Sequence, residues 1–281
     1  MPAASASAVL PEIARLANIR LHPIKSFDPV YVREAGIGRN GSLELDRVWV
    51  LFTATGKLID GKRFPAVHRI RAVFDEAVSQ VTLSVAGSPA VGSVPLSDPG
   101  SARFAFPADY DRAAQWFSHC FGQAVTVRHI PESMPDDGLA PGPTILSTAS
   151  LQTVCELFPG MPLEEARERF RATLEIDGVP AFWEDRLFGE NDFSTVRFRI
   201  GEVRFEGSHP CARCPVPPRH PRSGEEFVGF QRAFTEMRRS ALPAFSPVER
   251  FDHFYRFSTN TRVPSSETGK FLRAGDVLTF G

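Results

Sequence analysis

The chain has 281 residues, 42% hydrophobic and 23% charged, enough for a substantial core in one large or two ordinary domains. Its 32 basic and 33 acidic residues leave a formal net charge of -1, which excludes any global attraction to nucleic acid or an anionic membrane. Four cysteines exclude a disulfide scaffold, and no stretch approaches the ~20 apolar residues of a membrane span.

Residues 1–16 read as a loose, flexible leader with one helical turn at Ile13–Leu16; without a basic start and apolar run it is no secretion signal, and a cytoplasmic location follows. From residue 17 the pattern becomes strand-like. Asn18–Ile24 alternates, Val30–Val32 follows, and Val48–Phe52 is apolar enough to be buried on both faces. Asn40-Gly41 and Thr55-Gly56-Lys57 mark turns on either side of that strand. Ala72–Phe74 and Val81–Val85 continue the series, and short, evenly spaced strands predict an antiparallel barrel or meander. Asp109–Cys120 carries the first helical face, Ala113, Ala114, Trp116, Phe117 and Cys120, before a strand at Val125–His129. Cys120 and Cys155 read as apolar fillers of helical segments.

The Pro-, Gly- and Asp-rich segment 131–143 reads as a linker dividing the chain nearly in half. Beyond it come a strand at Ile145–Ser147, a helix from the capping serines to Phe158, and a second helix over Leu163–Arg169. Strands are predicted at Arg171–Ile176, Val196–Ile200, Val203–Glu206 and His253–Asn260, and in short pieces over Lys270–Phe280. Phe227–Ser240 is helical. The expected fold class is mainly β with peripheral helices: one β-barrel over 17–130 and a second over 144–281. The basic pairs Arg69/Arg71 and Arg238/Arg239 read as solvated faces.

Chemistry concentrates in His209-Pro210-Cys211-Ala212-Arg213-Cys214-Pro215. A guanidinium beside a thiol favours the thiolate, and flanking prolines fix its direction. A structural zinc would need a second ligand pair at a metal-binding spacing, which is missing; a thioredoxin-like dithiol would open a helix, which Pro215, Pro217 and Pro218 prevent. A third option remains: one cysteine on a metal whose other ligands come from a cofactor. Lys25-Ser26, Asp46-Arg47 and Arg171 add cations and hydroxyls suited to a bulky anion.

With these residues the sequence resembles the MOSC-domain family with its N-terminal β-barrel domain, which includes the mitochondrial amidoxime-reducing component and bacterial relatives. The resemblance rests on His22-Pro23-Ile24-Lys25-Ser26, Leu45-Asp46-Arg47-Val48-Trp49, Arg63-Phe64-Pro65, Ile145–Ser150, Arg169-Phe170-Arg171, Ile200-Gly201-Glu202, Pro210–Cys214 and Leu272–Asp276. It implies a molybdenum cofactor (molybdopterin, Mo), with Cys214 as metal ligand and catalytic centre and Cys211 not coordinating. Lys25, Ser26, Arg47, Ser147, Thr148, Arg171, Thr173 and Arg213 match positions that bind the pterin and its phosphate. The chain departs from its relatives at Thr173, Pro218 and His220, where they often carry Asn, Thr and Asp. The implied activity is an oxidoreductase that reduces N-hydroxylated small molecules by two-electron oxo transfer, with electrons from a separate ferredoxin or flavin reductase. The alternatives are a cofactor carrier or sulfur-transfer module, as in sulfurases where such a domain accompanies a pyridoxal-phosphate domain, and a metal-free binding domain.

Overall fold

A computed structural model describes residues 13–86 and 96–281. The predicted leader therefore lies mostly outside the described residues. Within them, Ile13–Leu16 forms no helical turn: the first strand, β1, already starts at Arg15 and runs to Leu21. β2 (Val30–Val32), β3 (Glu34–Gly36) and β4 (Trp49–Thr53) follow, then β5 (Ile70–Phe74), β6 (Gln80–Val85) and β7 (Ala102–Ala105). Helix α1 (Tyr110–Phe121) buries Ala113, Trp116, Phe117 and Cys120 and ends at Gly122 in the left-handed region that glycine tolerates. β8 (Val125–His129) pairs with β4. β4 is apolar because its far side also packs: it bridges to Ile24, and Trp49, Val50 and Leu51 are all buried.

The second half contains β9 (Ile145–Ser147), α2 (Thr148–Leu157), α3 (Leu163–Phe170), β10 (Leu174–Asp177), β11 (Val196–Ile200), β12 (Val203–Ala212), α4 (Phe230–Ser240), β13 (Arg256–Arg262), β14 (Phe271–Arg273) and β15 (Leu278–Phe280). The mainly β architecture with peripheral helices matches expectation, but the division of strands does not. One eight-stranded sheet has the order β15-β11-β12-β13-β9-β10-β1-β2, so the first two strands of the chain complete the sheet of the second half. The remaining strands form β14-β3, β4-β8 and β5-β6-β7.

Among the described residues the ladders between the named strands leave each sheet open, so no fully closed barrel is present. The large sheet nevertheless curls until β15 meets β1, with β2 left outside the junction: Arg15 bridges Val277, and Leu278 N donates to Ala14 O at 2.9 Å. Leu16, Ile19, Ile145, Leu174, Ile200 and Leu278 fill the interior of this curl. A second core joins Ile24, Trp49 and Leu51 to α1, and a third packs Phe170, Phe230, Phe234 and Phe257 under the helices.

The basic pairs are not the solvated faces their sequence predicts. Arg238 is only 1% exposed, ion-paired to Asp185 and stacked over Phe182 and Phe251. Arg69 is buried, Arg71 pairs with Asp28 at 2.9 Å, and only Arg239 is exposed. A charge pattern in sequence does not reveal which helical face meets a buried carboxylate. Among the described residues no helix is long and apolar enough to cross a membrane.

Candidate functional site

A cavity of about 410 Å³ opens between segments from both halves of the chain, and Cys214 and Cys211 stand on its wall. The first half contributes through two motifs that lie side by side. Arg47 N donates to His22 O at 2.9 Å, Trp49 N to Pro23 O at 3.0 Å and Lys25 N to Trp49 O at 2.9 Å. This strip sends Ser26 and Arg47 into the cavity and leaves Lys25 just behind it, with Nζ bonded to Met134 O at 2.9 Å and Asp136 Oδ1 at 2.8 Å.

The second half contributes Arg171, Thr173, Arg213 and Cys214. Arg171 opens no strand: it caps α3 in the left-handed region at φ 52. Ser26 (φ 77) and Arg47 (φ 54) share that backbone region, which costs a non-glycine residue roughly 1–2 kcal/mol. Strain of this kind persists where surrounding structure enforces it, and here it gathers at the cavity wall.

Two expected residues are elsewhere. Ser147 caps α2, accepting from Ser150 N at 3.1 Å, and Thr148 Oγ1 donates to Glu175 Oε1 at 2.8 Å. Neither lines the cavity. Their sequence signal, hydroxyls at a strand-to-helix junction, is the signal of a helix cap.

The segment 131–143, read as a linker, supplies two carboxylates instead. Asp136 reaches both Lys25 and, at 3.6 Å, Arg47 Nε. Burial pushes its carboxyl up, but Arg47 and Lys25 outweigh that and hold it below the usual carboxylate range. Asp137 Oδ2 lies 2.7 Å from His209 Nε2 and accepts from Asn260 Nδ2 at 3.0 Å, while its Oδ1 accepts from Leu139 N at 2.8 Å. The adjacent acids framed by Pro135 and Gly138 are a signal that a turn would present carboxylates.

Positive charge nevertheless dominates. Arg171 donates to Phe27 O at 2.8 Å; Arg213 donates to Phe170 O and, at 3.2 Å, to Cys211 Sγ. Among the described residues neither guanidinium has a carboxylate at ion-pair distance. Burial and neighbouring Arg47 pull Arg171 down to about 10, and burial followed by Arg171 and Arg219 takes His68, on the same wall, down to about 4. Burial lowers Lys25 as well, against the pull of Asp136. Buried Thr173 Oγ1 and Arg213 Nε have no hydrogen-bond partner. Such a site calls for an anion with several acceptor oxygens.

All four cysteines are free thiols. Among the described residues no three His, Cys, Asp or Glu side chains converge as a protein-only metal site, so a zinc centre has no ligand set here. A phosphate-bearing anion that brings its own metal ligands fits what is present: arginines without carboxylate partners, orphaned polar atoms and two cavity thiols.

Comparison with known proteins gives two domain matches: residues 13–124 match the MOSC N-terminal beta barrel domain, and residues 144–279 match the MOSC domain. The chain is 26% identical over 244 residues to a molybdenum cofactor sulfurase of Drosophila pseudoobscura pseudoobscura; the match covers 75% of this chain and 30% of that protein. The chain thus spans under a third of this relative's length. Among solved structures, the YUAD protein from Bacillus subtilis aligns over 95% of this chain and 94% of its own, at 10% identity and a TM-score of 0.34.

Proposed function

This chain belongs to the MOSC-domain family, and from that premise we propose that it binds the molybdenum cofactor in the shared cavity and reduces N-hydroxylated compounds. The observation that carries the reading is the pairing of the Cys214 thiol with arginines that lack carboxylate partners, on walls drawn from both halves of the chain. Arg171, Arg213 and Thr173 would hold the pterin phosphate, with Ser26 and Arg47 on the opposite wall. Asp136, on the cavity wall, would fix Arg47, with Lys25 holding Asp136 from behind. Cys214 would supply the one protein ligand to the metal. When bound, the cofactor would supply a two-electron centre able to take oxygen from an N–OH group. The protein's own part is to neutralise that group's charge and orient it. Electrons would come from a separate ferredoxin or flavin reductase.

The likeness to a molybdenum cofactor sulfurase supports a second reading, a carrier or sulfur-transfer module without redox turnover. Metal and pterin content after expression in a molybdenum-replete host, together with benzamidoxime reduction by an artificial donor, tests both. The reductase reading expects one molybdenum per chain, turnover, loss of metal in Cys214→Ser and its retention in Cys211→Ser. Full loading without turnover points to the carrier. Metal-free wild-type protein ends both.

A further inference from the structure

The cavity is divided by hydrogen-bonding sense. Arg47, Arg171 and Arg213 present only donors. The wall made by β12, β13 and segment 131–143 is built around a carboxylate. His209 and Asn260 face each other across the β12–β13 ladder, beside a bulge between Gly207 and His209. Asp137 closes the group, and all three residues line the cavity. Its Oδ2 lies 2.7 Å from His209 Nε2 and accepts from Asn260 Nδ2 at 3.0 Å. Nε2 carries a proton here, since otherwise two lone pairs would meet at 2.7 Å.

Acceptors remain open on this wall. A carboxylate accepts at about four lone-pair positions. Oδ2 of Asp137 takes two donors, and Oδ1 takes Leu139 N at 2.8 Å, which leaves room on Oδ1. Among the described residues no lysine or arginine pairs with Asp137, whereas Asp136 is held by Lys25 and Arg47. Arg256, on the same side, is spent on Asp252 at 2.7 Å and Pro210 O at 2.8 Å. Asn260 is only 4% exposed and its Nδ2 is committed to Asp137. Among the described residues its Oδ1 accepts no hydrogen bond, yet that oxygen is not sealed in the interior. A buried side chain thus turns an unpartnered acceptor to the cavity, beside a carboxylate with capacity to spare.

We infer that Asp137 and Asn260 read the head group of the substrate and select amidoximes over hydroxamic acids. The inference rests on the reductase reading above. The two heads have the same shape, but an amidoxime carries NH2 where a hydroxamic acid carries a carbonyl oxygen. The NH2 group donates to the open acceptors. A carbonyl oxygen in its place meets acceptors and a negative charge, and leaves both unpaired. A site built to bond a donor rejects the analogue that lacks it strongly. The products differ in the same sense. An amidoxime, two electrons and two protons give an amidine and water, the N–O bond breaking. The electron-transfer partner supplies the electrons and solvent the protons. The amidine then takes a further proton from solvent and faces Asp137 as a cation, whereas a hydroxamic acid gives a neutral amide.

The test uses the full chain at about pH 8, where free imidazole is neutral. Calorimetry with benzamidine and its neutral isostere benzamide is run on cofactor-loaded protein, and on cofactor-free protein in phosphate buffer, which occupies the arginines. Wild type should bind benzamidine about 10-fold or more tightly than benzamide, and Asp137→Asn should bring the two within about 3-fold. In loaded wild type, kcat/KM for benzamidoxime should exceed that for benzhydroxamic acid by about 100-fold or more. Asp137→Asn should lower that ratio at least about 10-fold while molybdenum and pterin content stay at the wild-type level. Wild type that binds benzamidine and benzamide equally overturns the proposal, as does a loaded Asp137→Asn that keeps both preferences. The wild-type comparison decides the question even where Asp137→Asn does not fold. Preference for benzamidine without turnover of either substrate assigns the failure to the reductase reading alone.

Discussion

Replacing Arg171 with methionine exposes the electrostatic cost of the cavity. The fall of Arg171 to about 10 corresponds to roughly 3 kcal/mol of unfavourable free energy for keeping its charge in the folded protein. Because the folded value lies below the unfolded one, this penalty acts in full at pH 7 and fades only as pH rises through about 10. Methionine has a comparable reach, no charge and no β-branch, so the left-handed backbone at φ 52 is no harder for it than for arginine. The lost hydrogen bond to Phe27 O offsets about 1–2 kcal/mol of the gain. Cofactor-free Arg171→Met should therefore be more stable than wild type by about 1–2 kcal/mol, a rise in Tm of about 2–8 °C. On the proposed function its pterin content should collapse, because the charge that destabilises the empty cavity is the one proposed to bind the anion. Calorimetry of cofactor-free protein gives the first quantity, and fluorescence of the oxidised pterin released on denaturation gives the second. A variant that melts below wild type and retains full pterin content would refute the reasoning.

Three further outcomes test the scaffold. Asp185→Asn leaves buried Arg238 without its counter-charge and should cost about 3–5 kcal/mol in urea denaturation; a loss below about 1 kcal/mol contradicts a buried pair. Glu184 is raised to about 7 by burial and by adjacent Asp185, so its contribution to stability is present below the ordinary carboxylate range and is lost as pH rises through about 7. Glu184→Gln should flatten the decline in urea midpoint between about pH 4.5 and pH 7, and an unchanged decline assigns it to other groups. Gly207→Ala would set a Cβ 1.5 Å from Leu187 O, so β12 and the 3-10 turn over Trp183–Leu187 must part. It should yield insoluble protein or lose more than about 4 kcal/mol, whereas a Tm within a degree or two of wild type contradicts the packing.

Local pattern was enough to place most elements. Alternation over Asn18–Ile24 pointed to β1, which runs over Arg15–Leu21, short apolar runs pointed to β6, β8 and β11, an apolar face identified α1, and the Ser147 hydroxyl announced α2. Each is a property of consecutive residues. The ordered motifs around Lys25, Arg47, Arg171 and Cys214 likewise pointed to one anionic, metal-bearing ligand, because cations, hydroxyls and a thiol have few other joint uses.

Only the tertiary structure decided what meets across long separations. It assigned β1 and β2 to the sheet of the second half, since strand pairing depends on which edge is open, and the sequence does not encode edges. It turned Arg238 inward beside Asp185 while Arg239 stayed in water, because adjacent helical residues face different neighbours. It left Ser147 and Thr148 off the cavity wall and set Asp136, Asp137, His209 and Asn260 on it. Those four converge through a chain reversal and a bulged ladder, and no local period records where either will bring a side chain.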